Sequence, residues 1–215
     1  MNASDVMTPE SPDSRQSPPR RRILGVGASP RKNGNSDVLL NAVFSGIKTV
    51  KIPTQKVQLR DYRYSACIGC ERCRKDKICT GLKDGMTLLY PPLIDAKGLV
   101  TVSPTHNYNV TAWMKAFIDR LYCFYDFNDN RPRGWSSRLA GQGRKAAVVA
   151  VCEQVSKKDM GFTLEAMRLP LEALGYEIVG EVAVYGIFDR GKVRQHSDEL
   201  EKAAKLGAKL ARALL

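Results

Sequence analysis

Four of the chain's six cysteines fall within thirteen residues, CIGCERCRKDKIC, from Cys67 to Cys79. Their spacing is C-x2-C-x2-C-x5-C. Thiolates are soft ligands, and short CxxC steps bring them round to one small centre, as an iron-sulfur cluster requires. The bacterial ferredoxin run ends in C-x3-C-P and gives its last cysteine to a second cluster. Here the last gap is five residues, Thr80 follows, and the run occurs once. That pattern fits a single self-contained [4Fe–4S] site on Cys67, Cys70, Cys73 and Cys79. Structural zinc usually draws on two separated pairs, a poorer match to one crowded run. A disulfide framework belongs to oxidising compartments. A redox CxxC pair stays open, as does a run of thiols that holds no cluster. Arg72, Arg74, Lys75 and Lys77 interleave the cysteines, and their charge is expected to lower the thiol pKa values.

A second stretch with chemical content is GASPRKNGNS, residues 27–36. It follows an apolar strand and precedes a helix, where backbone amides and the helix dipole favour an anion. Ser29, Asn33, Asn35 and Ser36 add short donors, and Arg31 adds a charged fork. The dinucleotide fingerprint fails at Pro30, and no GxxxxGK[ST] is present. Such a loop suits a terminal phosphate, like that of FMN, better than a bridging pyrophosphate; a plain polar turn with a cap is the rival reading. A third stretch is SPTHNYN, residues 103–109. Pro104 stiffens the turn, and the backbone of Thr105, His106, Asn107, Tyr108 and Asn109 can line a flavin ring. A lone His106 is an ordinary loop residue, so it is assigned contact only and no catalytic side chain is named. The loop Cys152–Lys158 is expected to close the pocket near Cys152 and Glu153.

The elements that must position these stretches alternate in type. Strands are expected at Ile23–Ala28, Gln55–Arg60, Gly98–Ser103, Lys145–Cys152 and Glu177–Tyr185. Helices are expected at Ser36–Lys48, Met86–Ala96, Thr111–Tyr122, Gly161–Leu174 and Ser197–Leu215. Asn35 or Ser36 should cap the first. The third should bury Trp113, Phe117, Ile118 and Leu121. Pro170 should kink or divide the fourth. Regular alternation of this kind specifies a doubly wound α/β domain with a mainly parallel sheet. It would span 22–215, with the cysteine loop at 61–85 and a disordered tail at 1–21. The connection 123–144 exceeds ordinary loop length and reads as a lid, a subunit contact or a surface excursion.

Composition bounds the rest. Apolar residues are 43% and charged residues 26%, as in soluble globular chains. No apolar run approaches the roughly 20 residues of a membrane span, and the N-terminus has no secretory h-region. A cytoplasmic protein with reduced thiols is the expectation. Net charge is +12, of which only one unit belongs to residues 1–22. An excess of that size favours an anionic partner or cofactor. No nucleic-acid motif accompanies it, so a basic zinc module that binds nucleic acid is the outlying reading.

Taken together, GASPRKNGNS, SPTHNYNVTAWMKAFIDR and CIGCERCRKDKIC resemble the flavodoxin-like NAD(P)H-dependent FMN reductase superfamily, and most of all its iron-sulfur flavoprotein branch. The likeness runs from about Arg22 to the last helix. It implies a flavodoxin-like five-stranded sheet in the order 2-1-3-4-5, and homodimers or homotetramers. By the same analogy Ser29, Arg31, Asn33, Asn35 and Ser36 serve the phosphate of FMN, and Pro104 through Asn109 the isoalloxazine. The function expected is an FMN-dependent oxidoreductase that couples two-electron to one-electron transfer through the cluster. NAD(P)H is a possible donor, and a ferredoxin-like or small-molecule carrier a possible partner. A cluster-free NAD(P)H-dependent FMN or quinone reductase is the alternative.

Overall fold

The backbone of Ile23–Gly27 is flanked by extended chain on both sides, and every one of its residues is buried. That is the signature of a strand covered on both faces, and it lies inside the sheet, between two others. The structure is a computed structural model describing residues 21–215. The tail expected at 1–21 therefore lies outside the described residues, Arg21 excepted.

In chain order the elements are β1 (Ile23–Gly27), α1 (Asn35–Lys48), β2 (Thr54–Gln58), α2 (Arg72–Asp76), α3 (Tyr90–Asp95) and β3 (Gly98–Pro104). Then come α4 (Ala112–Arg120), β4 (Tyr125–Phe127), β5 (Trp135–Ser137), β6 (Lys145–Val151), α5 (Lys157–Met160), α6 (Thr163–Ala173), β7 (Glu177–Val184) and α7 (Ser197–Arg212). Five strands pair in the order β2-β1-β3-β6-β7, all parallel. With the β4–β5 hairpin set aside, this is the 2-1-3-4-5 order of a flavodoxin-like sheet. Among the described residues no helix is long and apolar enough to cross a membrane.

Alternation along the strands builds two cores. Leu24, Val26, Leu99, Val148 and Ala150 face α3, α4 and α6, while Ile23, Val100, Val102 and Val149 face α1 and α7. On the second face the expected stripe of α1 is buried in full: Leu39, Leu40, Val43, Phe44 and Ile47. Gly46 of α1 and Gly207 of α7 meet there backbone to backbone. A β-carbon on Gly46 would run into the carbonyl of Ala204, and one on Gly207 into that of Val43.

Several boundaries differ from the sequence expectation, each for a local reason. Gly34 is the cap residue of α1, with Asn35 and Ser36 inside the first turn. The helix expected at 86–96 is a 3-10 turn at Gly85–Leu88 followed by α3, whose first turn holds Pro91 and Pro92. Proline costs least there, because first-turn N–H groups lack helical partners anyway. Pro170 does not divide α6; the break falls earlier, at Gly161, whose φ of 59° ends α5. Trp113 is 37% exposed rather than buried, because α4 turns Met114 and Phe117 to the core instead. The long connection at 123–144 is not irregular: β4 and β5 pair antiparallel within it.

Gly207→Val should cost about 3 kcal/mol of folding free energy through overpacking against backbone that cannot yield. Urea denaturation of the purified variant measures it, and a loss below about 1 kcal/mol would contradict the contact.

Candidate functional site

The β1–α1 loop is held from below by one ion pair. Arg60, just past β2, sends a fork to Asp37 at 2.8 and 3.0 Å. Both side chains are only 10% exposed. The same guanidinium donates to the Ser29 carbonyl at 3.0 Å and to Gln58 Oε1 at 3.1 Å. Asp37 also accepts the Asn33 amide at 2.8 Å. Three points of the loop, at Ser29, Asn33 and Asp37, are thus fixed directly or through Asp37 to Arg60. An acidic residue in a helix's first turn would compete with a bound anion, and pairing to Arg60 neutralises it.

Above this base lies a cleft of about 120 Å³ lined by Ser29, Arg31, Ser36, Thr105, His106 and Arg190, among others. The chain after β7, which sequence reasoning did not single out, closes it. The Arg31 guanidinium stacks over the Phe188 ring at 4.5 Å and donates to the Phe188 carbonyl at 3.2 Å. Arg190 Nε reaches the Lys32 carbonyl at 2.7 Å. The Asn35 amide donates to the Asp189 carbonyl at 3.0 Å and accepts from the Val193 amide at 3.1 Å. Its side chain is therefore spent on the fold, although its residue lines the cleft. Ser36 is the opposite case. Its hydroxyl is buried with no hydrogen-bond partner, a state that costs about 1–3 kcal/mol unless a ligand completes it.

Not every expected residue converges here. Ser29, Arg31, Asn35, Ser36, Pro104, Thr105 and His106 line the cleft, as does Glu153 from the loop after β6. Asn33 is exposed and contributes its backbone to the Asp37 contact. Asn107, Tyr108 and Asn109 stand outside, forming the tip of a tight turn. His106 and Asn109 exchange backbone bonds at 2.8 and 3.0 Å, and Asn107 and Tyr108 between them have φ of 47° and 62°. Two successive left-handed residues make a primed turn, which is strained for a side chain as large as tyrosine. The Phe162 amide secures it on the Tyr108 carbonyl at 2.8 Å. Tyr108 is left 60% exposed beside the cleft. Cys152, expected near the pocket, is buried in the core.

The donor set fits the phosphate of FMN. An orphaned hydroxyl, the first amides of α1 and two arginines surround a cleft of phosphate size. A flavin ring is too large for 120 Å³, so it would lie outward, over Pro104–His106 and against Tyr108.

The cysteine run lines a separate cavity of about 400 Å³, with Gly81, Arg120 and Tyr122 on its walls. All six cysteines are free thiols. Among the described residues no group of three or more His, Cys, Asp and Glu is drawn tightly enough for a single metal ion. All four cysteines of the run are among the residues that line the cavity. Gly81 contributes to that space, since a β-carbon there would strike Cys70 Sγ. Burial and the neighbouring Cys79, Cys67 and Cys70 push the Cys73 thiol upward in pKa. The expected lowering by interleaved basic residues does not occur at Cys73. Arg74 and Lys77 are engaged elsewhere: Arg74 with Glu71 and Asp129 at 3.2 and 3.4 Å, Lys77 with Asp126 at 2.6 Å. Burial, then Cys73, raises the thiol of nearby Cys123 to about 12.

The pairs to Asp129 and Asp126 bind the β4–β5 hairpin to the cysteine loop. The hairpin carries stacked aromatics, Phe127 on Tyr122 at 5.0 Å and Trp135 edge-on to Tyr125 at 5.3 Å. On the cavity wall, Arg120 is 2% exposed and forks onto Asp84 at 2.8 and 3.1 Å while donating to the Ser65 carbonyl at 2.9 Å. Asp84 accepts the amides of Ser65 and Met86 at 3.0 and 3.1 Å.

A flavodoxin-like sheet with a phosphate cleft and a turn beside it at the strands' carboxyl ends defines a flavin-dependent oxidoreductase. The chain belongs to the NADPH-dependent FMN reductase family, which it matches over residues 21–185. It is similar to an iron-sulfur flavoprotein of Archaeoglobus fulgidus, 29% identical over 89% of this chain and 80% of that protein. A second A. fulgidus protein of that name is 36% identical over 49% of this chain, and the match spans 55% of its length. Of solved structures, an NAD(P)H:quinone oxidoreductase from Methanothermobacter marburgensis shares the fold. Its TM-score is 0.68 at 17% identity, covering 88% of this chain and 96% of that one. The resemblance to the iron-sulfur flavoprotein branch is thus borne out, and FMN is the flavin of the family.

Arg60→Met should remove about 3–5 kcal/mol of stability by stranding the Asp37 carboxylate. It should also weaken FMN binding, and denaturation with flavin-fluorescence titration reads both. A second expectation concerns acid. Burial opposes the Asp84 carboxylate, but the Arg120 bond and the amides outweigh it and hold its pKa below the usual value. A carboxylate so depressed contributes stability above its unfolded pKa, lost as pH falls from about 4 through the folded value. Asp84→Asn should flatten that part of the acid-denaturation curve, and an unchanged curve would disprove the link.

Proposed function

We propose that the chain is an FMN-dependent oxidoreductase that also holds a [4Fe–4S] cluster on Cys67, Cys70, Cys73 and Cys79. The observation that carries the reading is a cavity ringed by four free thiols and relieved of any side chain at Gly81. Residues 22–215 form the working unit, with 61–85 as its cysteine insert. Bound FMN takes two electrons as hydride and releases them singly, while a cluster carries one at a time. NAD(P)H suits the first exchange, and a ferredoxin-like or small-molecule carrier the second. Homodimers or homotetramers are the assembly the family resemblance favours.

The protein's own residues bind and orient. Ser29, Ser36, Arg31 and the first amides of α1 hold the phosphate, and the Arg31–Phe188 stack closes the cleft over it. Pro104, Thr105 and His106 present the loop that the ring lies on, with Tyr108 at its margin. Asn33, Asn107 and Asn109 act through loop shape rather than contact. The cluster-free reductase is the second reading, favoured by the exposure of Cys67 and Cys70.

Anaerobically purified protein should contain FMN with iron and acid-labile sulfide near four per chain for one [4Fe–4S] site. Ser36→Ala should weaken FMN about tenfold or more, the worth of one hydrogen bond to a charged group, with iron unchanged. Cys70→Ser should lose iron and keep FMN. Yellow protein without iron would sustain the cluster-free reading instead.

A further inference from the structure

We infer that Arg120 is the electrostatic partner of the cysteine centre and raises the reduction potential of a cluster held there, with Asp84 as its positioning residue. This rests on the cluster reading above. Arg120 is one of the largest fully buried side chains in the protein. It lines the cysteine cavity, whereas Asp84 does not; Asp84 lies behind, on a separate groove with Arg60, Arg63 and Trp113. The pair is therefore a dipole with its positive end toward the thiols. Its orientation is fixed at both ends. The guanidinium also donates to the Ser65 carbonyl, and Tyr90 donates its hydroxyl to the Arg120 carbonyl at 3.1 Å.

The Arg120 Nε is buried and has no partner. An orphaned donor on a buried guanidinium is a standing cost. The chemistry follows from charge. A cluster that accepts one electron gains one negative charge and no proton. A positive group in a poorly solvated wall stabilises the reduced form more than the oxidised one. The basic residues of the cysteine run are poor substitutes, because Arg74 and Lys77 are engaged by Glu71, Asp129 and Asp126, and Arg72 and Lys75 are exposed to solvent.

The test uses the full chain purified without oxygen, with iron and sulfide assays and a spectroscopic redox titration of each protein. Arg120→Gln should keep its iron and shift the potential to a more negative value; Arg120→Lys should stay close to the parent. Asp84→Asn should shift it the other way, to a more positive value, because the counter-charge behind the guanidinium is gone. Opposite shifts are not what a merely structural role produces. An Arg120→Gln protein with iron and an unmoved or raised potential overturns the inference. If Arg120→Gln loses iron, the Asp84→Asn potential decides: a rise supports the inference, while no change, a fall or loss of iron overturns it. A parent protein without iron and sulfide overturns the cluster reading as well, which separates the two failures.

Discussion

One guanidinium with almost no access to solvent organises the region where the chain departs from a plain α/β sandwich. Arg120 ends α4, the helix that follows the flavin turn. It fastens Ser65 and Asp84, the two feet of the cysteine excursion, to each other and to the body. An excursion of that length on weak local structure would otherwise pay heavily in loop entropy. Its only helix, α2, is five residues long and flanked by left-handed Glu71 and Lys77. Removing either partner of a buried pair strands a charge and costs stability. The ladder of ion pairs to the hairpin then steadies the outer rim.

The two sites share a scaffold but not a mechanism of assembly. The proposed flavin cleft is made where parallel strands end and helices begin, so topology sets the first amides of α1 beside its side-chain donors. The cysteine cavity is made by side chains on irregular chain, and only tertiary anchors give it shape. Several arginines serve such anchoring. Arg144 buries its fork on the carbonyls of Leu93, Ile94 and Ala96, closing the C-terminus of α3. Arg60 and Arg120 are each matched by a carboxylate, so of these arginines only Arg144 carries an unmatched positive charge inside.

What could be read from the sequence was whatever a local pattern encodes. Apolar runs gave the five strands, a 3.6-residue stripe gave α1, and loop chemistry at 27–36 and 103–109 gave the cleft's two near walls. The third wall was illegible. Phe188 and Arg190 come within reach of Arg31 and Lys32 across more than 150 residues, and a single arginine after a strand carries no signature. Arg60 and Arg120 were invisible for the same reason, since each is defined by a distant carboxylate. The hairpin at 125–137 was missed because strands of three residues are too short to show alternation. Trp113 misled because its periodicity suited a buried face, while the helix rotated it outward.

The contact between Gly46 and Gly207 bears on how the protein comes into being. The first helix of the sheet finds its tightest neighbour in α7, far later in the chain. A ribosome must release Ser197–Arg212 before the apolar side of α1 is covered, so β1 and α1 wait while the intervening elements are made, with Leu39, Val43 and Ile47 open to other chains. Closure across such a span is slow by nature, and nascent chains in that state are the ones chaperones hold. The pair of glycines thus acts as a clasp that shuts late, after the long interval between the two helices has been made.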